Sequence, residues 1–356
     1  MTPNNIIQQT ASYLQSLDPE LNLEAFHMEQ SIEDRQVKQT LAIKILSIFG
    51  GILSSSAFWG FLVGIGLYRS HVALSALGIL AITIGVIIGK KFKQILWDTM
   101  SVATFSIGFI MLGYGLFEFN IDNQYVSLCL AALSLLCLYL NPSYIISFVS
   151  TLILNGSILS YIQSAGHNDF LHIQVSLLAI VLSYMFLKEP KLLHKSFKTG
   201  FSFHAIRTGL LLCFIIGLLL LRQDLFFFHL SALWSWSTSV VCTLIILYLS
   251  SKLLSDFGVS DRITRLATYA LTLLVVAPTI LYPGIVGSLL LILLCFSVRY
   301  RTGFVMGIIA LLWFIGKFYY DLQYTLLTKS IMLFGSGLVF LLFYLFISKR
   351  ANHEKI

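Results

Sequence analysis

Charge is scarce in this chain: Asp, Glu, Lys and Arg together make up 11% of its 356 residues, whereas roughly a quarter is usual in a soluble domain. Hydrophobic residues reach 57%. A chain this apolar cannot cover its own surface in water, so a soluble enzyme or binding module is excluded from the start. The sequence also lacks any CxxC pair. Cys129, Cys137, Cys213, Cys242 and Cys295 each stand within apolar runs, where a thiol acts as a small hydrophobic residue, which argues against disulfides and thiolate metal sites. Equally missing are GxSxG, GxGD and Walker elements and the His-x₃-His and HExxH spacings. Intramembrane protease, nucleotide-driven pump and zinc-enzyme readings therefore have no footing, and no catalytic residue, cofactor or metal is expected.

What is present is a succession of apolar runs near the ~20 residues that a helix needs to cross a bilayer. Alternating ten-residue strands, the mark of a β-barrel, are not seen, so the expected fold is all-α, a polytopic helix bundle. Turn and charge signals place twelve spans near 45–67, 72–89, 95–117, 124–140, 143–163, 170–188, 203–221, 232–253, 264–281, 284–298, 303–320 and 327–347. These give a transmembrane domain over 41–350, with halves of about 41–190 and 200–350, preceded by an acidic segment at 1–40 and followed by a tail at 351–356.

The cations sort between alternate loops. Of the 23 basic residues, only Arg69, Arg222, Lys317 and Lys329 fall on one side, and Glu118, Asp122, Asp169, Asp224 and Asp321 lie with them. The positive-inside rule then puts both termini in the cytoplasm, an arrangement that a miscount by one helix would scramble. The net charge of +7 is a record of orientation. No basic stretch is interleaved with stacking aromatics, so nucleic acid is not an expected partner.

Residues 1–38 carry six acidic residues against Arg35 and Lys38 and have neither the basic nor the apolar region of a cleavable signal. Ile6, Ile7, Ala11, Leu14 and Leu17 recur at helical spacing, which suggests a short cytoplasmic helical hairpin broken at Pro19, with a solvated tail as the alternative. Lys191, Lys195 and Lys198 share one face of the longest loop, with Leu192, Leu193 and Phe197 between them, a pattern suited to anionic lipid headgroups. That loop divides the spans six and six. Short fourth spans beside Pro142 and Pro283, polar breaks at Asn155 and Gly316, and outer arginines at Arg69 and Arg222 recur at matching places, which suggests a parallel repeat. Short spans and prolines are also ordinary in polytopic proteins.

A charge at membrane depth costs about 2.5–3.5 kcal/mol on insertion scales, so each needs a partner or water. Lys44 and Arg207 fall in the first turns of their spans, where a long stem can snorkel to the headgroups. Asp98 enters the third span after Lys90, Lys91 and Lys93 and suits a cap or an ion pair. Asn155 reads as interhelical glue. Lys317, Asp321 and Lys329 suggest a clasp at the outer end of the last hairpin, ringed by Tyr319, Tyr320 and Tyr324. His71, His167, His172 and His229 lie on the outer side and form a site only if the fold gathers them. Gly60-xxx-Gly64 and Gly85-xxx-Gly89 predict close helix contacts.

The stretch FYYDLQYTLLTKSIMLFGSGL, from Phe318 to Leu338, resembles the C-terminal signature of a family of bacterial inner-membrane proteins of unknown function. The matching positions are Phe318, Tyr319, Tyr320 and Leu322 for FYYxL, Leu326, Leu327, Lys329 and Ser330 for LLxKS, and Ser336 with Gly337 for the later SG. The resemblance implies an inner-membrane location and, as a partner, a small envelope protein with a GDYxxLxY-type motif encoded alongside. It implies no activity. Major facilitators carry a Gly-x₃-Asp-Arg element where this chain has Gly89, Lys90, Lys91 and Lys93, and lipid-sugar glycosyltransferases carry an acidic first outer loop where it has Arg69, Ser70 and His71. Three functions are therefore carried forward: an envelope scaffold or partner subunit, a secondary transporter with a site between two six-helix halves, and a membrane-embedded transferase.

Overall fold

In the computed structural model the described residues are 41–66, 70–91, 95–140, 143–189, 200–221, 234, 236–256, 262–276, 279–280, 282–321 and 334. They form eleven helices and no strand: α1 Leu41–Gly64, α2 His71–Lys91, α3 Ile95–Glu118, α4 Asn123–Leu140, α5 Tyr144–Ser164, α6 Phe170–Leu187, α7 Gly200–Leu220, α8 Ser237–Asp256, α9 Arg262–Val276, α10 Pro283–Ser297 and α11 Arg301–Asp321. Eleven expected spans thus meet a helix each. The twelfth apart from Phe334, the segment at 1–40 and the lysine-bearing loop at 191–199 lie outside the described residues.

Eight helices, α2 to α8 and α11, are long and apolar enough to cross a membrane. Their outward faces are apolar too: Ile110 is 70% exposed, Leu244 62% and Leu312 65%. Water would not tolerate so many uncovered side chains, and hydrocarbon does. α9 ends early, at Val276 rather than near 281. Pro278 explains this, because proline cannot donate the helical bond and disfavours helix in the residue before it.

The chain forms two compact units, Met1–Ile121 and Asp122–Ile356, which places α1 to α3 in the first and α4 to α11 in the second. In the first unit α3 packs on both α1 and α2. The α2–α3 contact runs backbone to backbone. A Cβ added at Gly78 would lie 2.7 Å from the amide nitrogen of Leu112, and one at Gly108 would lie 2.8 Å from that of Ile82. Ser101 Oγ donates to the Gly85 carbonyl at 2.9 Å, closing the same seam. Of the two expected small-residue motifs, the one on α2 joins this seam at Gly85, where a Cβ would lie 2.9 Å from Phe105 Cβ. At Gly60 and Gly64 a Cβ would meet nothing within 4 Å.

In the second unit α7 packs on α5, α6, α10 and α11. Its glycines let neighbours approach, Gly209 facing Thr151 of α5 and Gly217 facing Val175 of α6. α10 is apolar on every side and correspondingly buried: Leu290, Leu291, Leu294 and Cys295 are all fully enclosed. At 15 residues it is about 22 Å long, shorter than the ~30 Å hydrocarbon layer. Its neighbours are α6, α7, α8 and α11. The C-terminal ends of α6, α8 and α10 converge at one end of this unit, and there the polar residues gather.

Candidate functional site

Arg207 lies in the second turn of α7 and is 4% exposed. It does not snorkel. Its Nη1 donates to Glu189 Oε1 at 2.8 Å, and Nη2 donates to His204 Nδ1 at 3.2 Å, which leaves the His204 proton on Nε2. Three aromatic rings enclose the guanidinium, with centroids 4.2 Å away for Tyr300, 5.3 Å for Phe186 and 5.8 Å for Phe203. A desolvated cation over ring faces gains about 2 kcal/mol, and the carboxylate supplies the opposite charge that burial demands.

Local sequence explains each partner. Glu189 stands two residues past the end of α6, after the C-cap Lys188, and precedes Pro190, which cannot continue a helix. Phe186 closes the last turn of α6, and Phe203 and His204 precede Arg207 by one helical turn. Tyr300 comes from the α10–α11 corner. There Arg299 adopts φ 57°, the left-handed conformation that ends many helices, while the Tyr300 amide donates to the Cys295 carbonyl at 2.9 Å. This turn carries the Tyr300 ring onto Arg207, and its hydroxyl sits 3.1 Å from Thr208 Oγ1. The box therefore fastens α6, α7 and the α10–α11 corner to one another.

Beside it opens a cavity of about 530 Å³, within the range of small-molecule sites. Glu189, Lys252, Asp256 and Ser297 supply its polar lining, and Phe186, Leu249 and Leu253 its apolar wall. A smaller cavity of about 150 Å³ lies among α5, α6 and α7 and includes Asn155, Gln174 and Cys213 in its lining. Gln174 Nε2 donates to the Asn155 backbone carbonyl at 3.2 Å, and Gln174 Oε1 is buried without a partner.

The positions singled out in the sequence are scattered. Asp98 is in the first turn of α3, in the first unit. Asn155 lines the smaller cavity, and its side-chain amide donates within its own helix, to the Thr151 carbonyl at 2.9 Å; the bond between helices comes from Gln174 instead. Lys317 is half-buried near the end of α11, Asp321 ends that helix, and the Asp321 side chain and Lys329 lie outside the described residues. His71 approaches Glu118 at 3.8 Å, His167 packs edge-on against Phe170, and His172 Nδ1 is 3.1 Å from Thr238 Oγ1; His229 lies outside the described residues. Among the described residues no three of His, Cys, Asp and Glu gather as metal ligands would. Sequence reasoning missed Glu189, His204 and Tyr300. Glu189 alone had left a signal, as the one carboxylate between Lys188 and Arg207.

These features define a helical membrane protein of several spans with a buried arginine–glutamate pair at one end of its larger unit. The chain belongs to the family whose model is described as a domain of unknown function, DUF4401, which matches residues 40–350. No curated protein and no solved structure matches it.

Proposed function

We propose that this chain is a non-enzymatic component of the bacterial inner membrane, an envelope scaffold or partner subunit with both termini in the cytoplasm and a small GDYxxLxY-type envelope protein as its partner. One observation carries the reading: the buried Arg207 is paired with Glu189 inside its own unit, in a box that joins α6, α7 and the α10–α11 corner. His172 of α6 likewise meets Thr238 of α8, and Gln174 of α6 donates to the Asn155 carbonyl of α5, contacts between helices that suit holding them in place. Asp98 and the clasp of Lys317, Asp321 and Lys329 belong to the same structural set. Replacing Lys329 with Leu should then lower the unfolding temperature, and an unchanged value would discard the clasp. Lys191, Lys195 and Lys198 fit the anionic headgroups of the cytoplasmic leaflet.

Affinity capture from mild detergent, run beside proteoliposome uptake with a metabolite panel, tests the reading. A stoichiometric envelope partner and no uptake are expected; uptake without a partner would overturn it. The smaller cavity favours a second reading, a secondary transporter of a small solute in a six-plus-six arrangement. That cavity is lined by α5 and α6 on one side and α7 on the other, where the two sequence halves would meet, and Gln174 Oε1 is left without a partner beside it. On that reading Gln174→Leu abolishes uptake while the protein stays folded.

A further inference from the structure

The larger cavity has a feature that helix packing does not require. Lys252 and Asp256 are one turn apart on α8, both exposed and both lining the same space, yet they do not form an ion pair with each other. Opposite charges so placed can be bridged by one molecule that carries both signs. The cavity lies at the C-terminal ends of α6, α8 and α10, where the negative ends of three helix dipoles favour a cation. Ser297 Oγ already donates to the Leu294 carbonyl at 2.7 Å, so towards the cavity it is left as an acceptor. Glu189 is neutralised by Arg207. The unspent groups are thus one cation, one anion and the Ser297 hydroxyl as an acceptor, set above an apolar wall where α6, α8 and α10 end, a place that suits lipid headgroups.

We propose that this cavity binds the headgroup of an aminophospholipid, with the phosphate on Lys252, the primary ammonium on Asp256 and the Ser297 side, and the glycerol and first methylenes against Phe186, Leu249 and Leu253. A primary ammonium brings three N–H donors to those acceptors, and a choline group brings none. The apolar wall selects an amphiphile over a free zwitterion, and the carboxylate selects against a headgroup that carries only negative charge. The inference stands whether the chain acts as scaffold or transporter, because it concerns retained lipid rather than partner or cargo.

Native mass spectrometry of the full-length protein in detergent tests it, with dioleoyl phosphatidylethanolamine, phosphatidylcholine and phosphatidylglycerol each offered in competition. Phosphatidylethanolamine should be retained over phosphatidylglycerol by about fivefold, the ratio that one partly screened ion pair supplies, with phosphatidylcholine below phosphatidylethanolamine. Asp256→Asn should bring the ethanolamine and glycerol lipids to parity, and Leu253→Trp, which fills the wall, should remove both. The readout is a ratio of adducts on the same folded protein, so a loss of yield does not disguise the answer. Equal retention of the two lipids by the unaltered protein, a preference that survives Asp256→Asn, or displacement by equimolar soluble phosphoethanolamine would each overturn the proposal, the last by making the ligand a soluble solute.

Discussion

Arg207 is held by an ion pair whose two members are both largely enclosed, with 5% of the Arg207 side chain and 14% of the Glu189 side chain exposed. Burying two charges is costly, and their attraction offsets the cost only while both are present. Glu189→Gln should therefore destabilise the protein by about 3–5 kcal/mol, read as a lowered unfolding temperature in detergent. Replacing the pair together, Arg207→Met with Glu189→Leu, should cost less than Glu189→Gln alone, because no orphaned charge is left. A double variant worse than the single would show that the pair is not the unit that matters. Arg299 offers a second test. Its left-handed backbone costs a side-chain-bearing residue about 1 kcal/mol that glycine escapes, so Arg299→Gly should hold or raise stability and Arg299→Val should lower it. The same pair of variants asks whether that turn places Tyr300 over the guanidinium.

At the scale of the helix, glycine matters by what faces it. Gly78→Ala and Gly108→Ala force a methyl into the neighbouring backbone, which cannot yield as a flexible side chain can, and each should cost about 1–3 kcal/mol. Gly60→Ala and Gly64→Ala meet open space and should be neutral or slightly stabilising, since alanine is the better helix former by about 1 kcal/mol. Thermal unfolding of the four variants side by side would check the contrast. The reverse order would place the packing seam on α1. The spacing Gly-x₃-Gly was legible in both places, but which helix would lie against it was not, because any tight crossing depends on two surfaces and the motif describes one. α9 carries a related lesson: the apolar run continues past Val276, but Pro278 lacks the N–H that a continuing helix would need.

At the scale of the whole molecule, the proposed orientation predicts that cysteines introduced into the Lys191–Lys198 loop are labelled by an impermeant thiol reagent only after the cell is opened; labelling in intact cells would reverse the arrangement. Hydropathy by itself determined that the protein is helical and membrane-borne and where eleven of its helices run, because in hydrocarbon each span must satisfy its own backbone bonds and so announces itself locally. The residue-level site was far less legible. Arg207 was visible as a charge near a span end, but its enclosure was not, since Glu189, Phe186 and Tyr300 reach it from three separate stretches of chain. The same holds for the larger cavity, whose lining comes from α6, α8 and α10. The grouping of α1 to α3 apart from the rest, and the choice of α10 as the enclosed helix, were likewise decided by tertiary packing alone. Lipid makes every apolar face acceptable on the outside, so a membrane sequence carries little pattern to say which faces turn inward; that follows only from which side chains fit together.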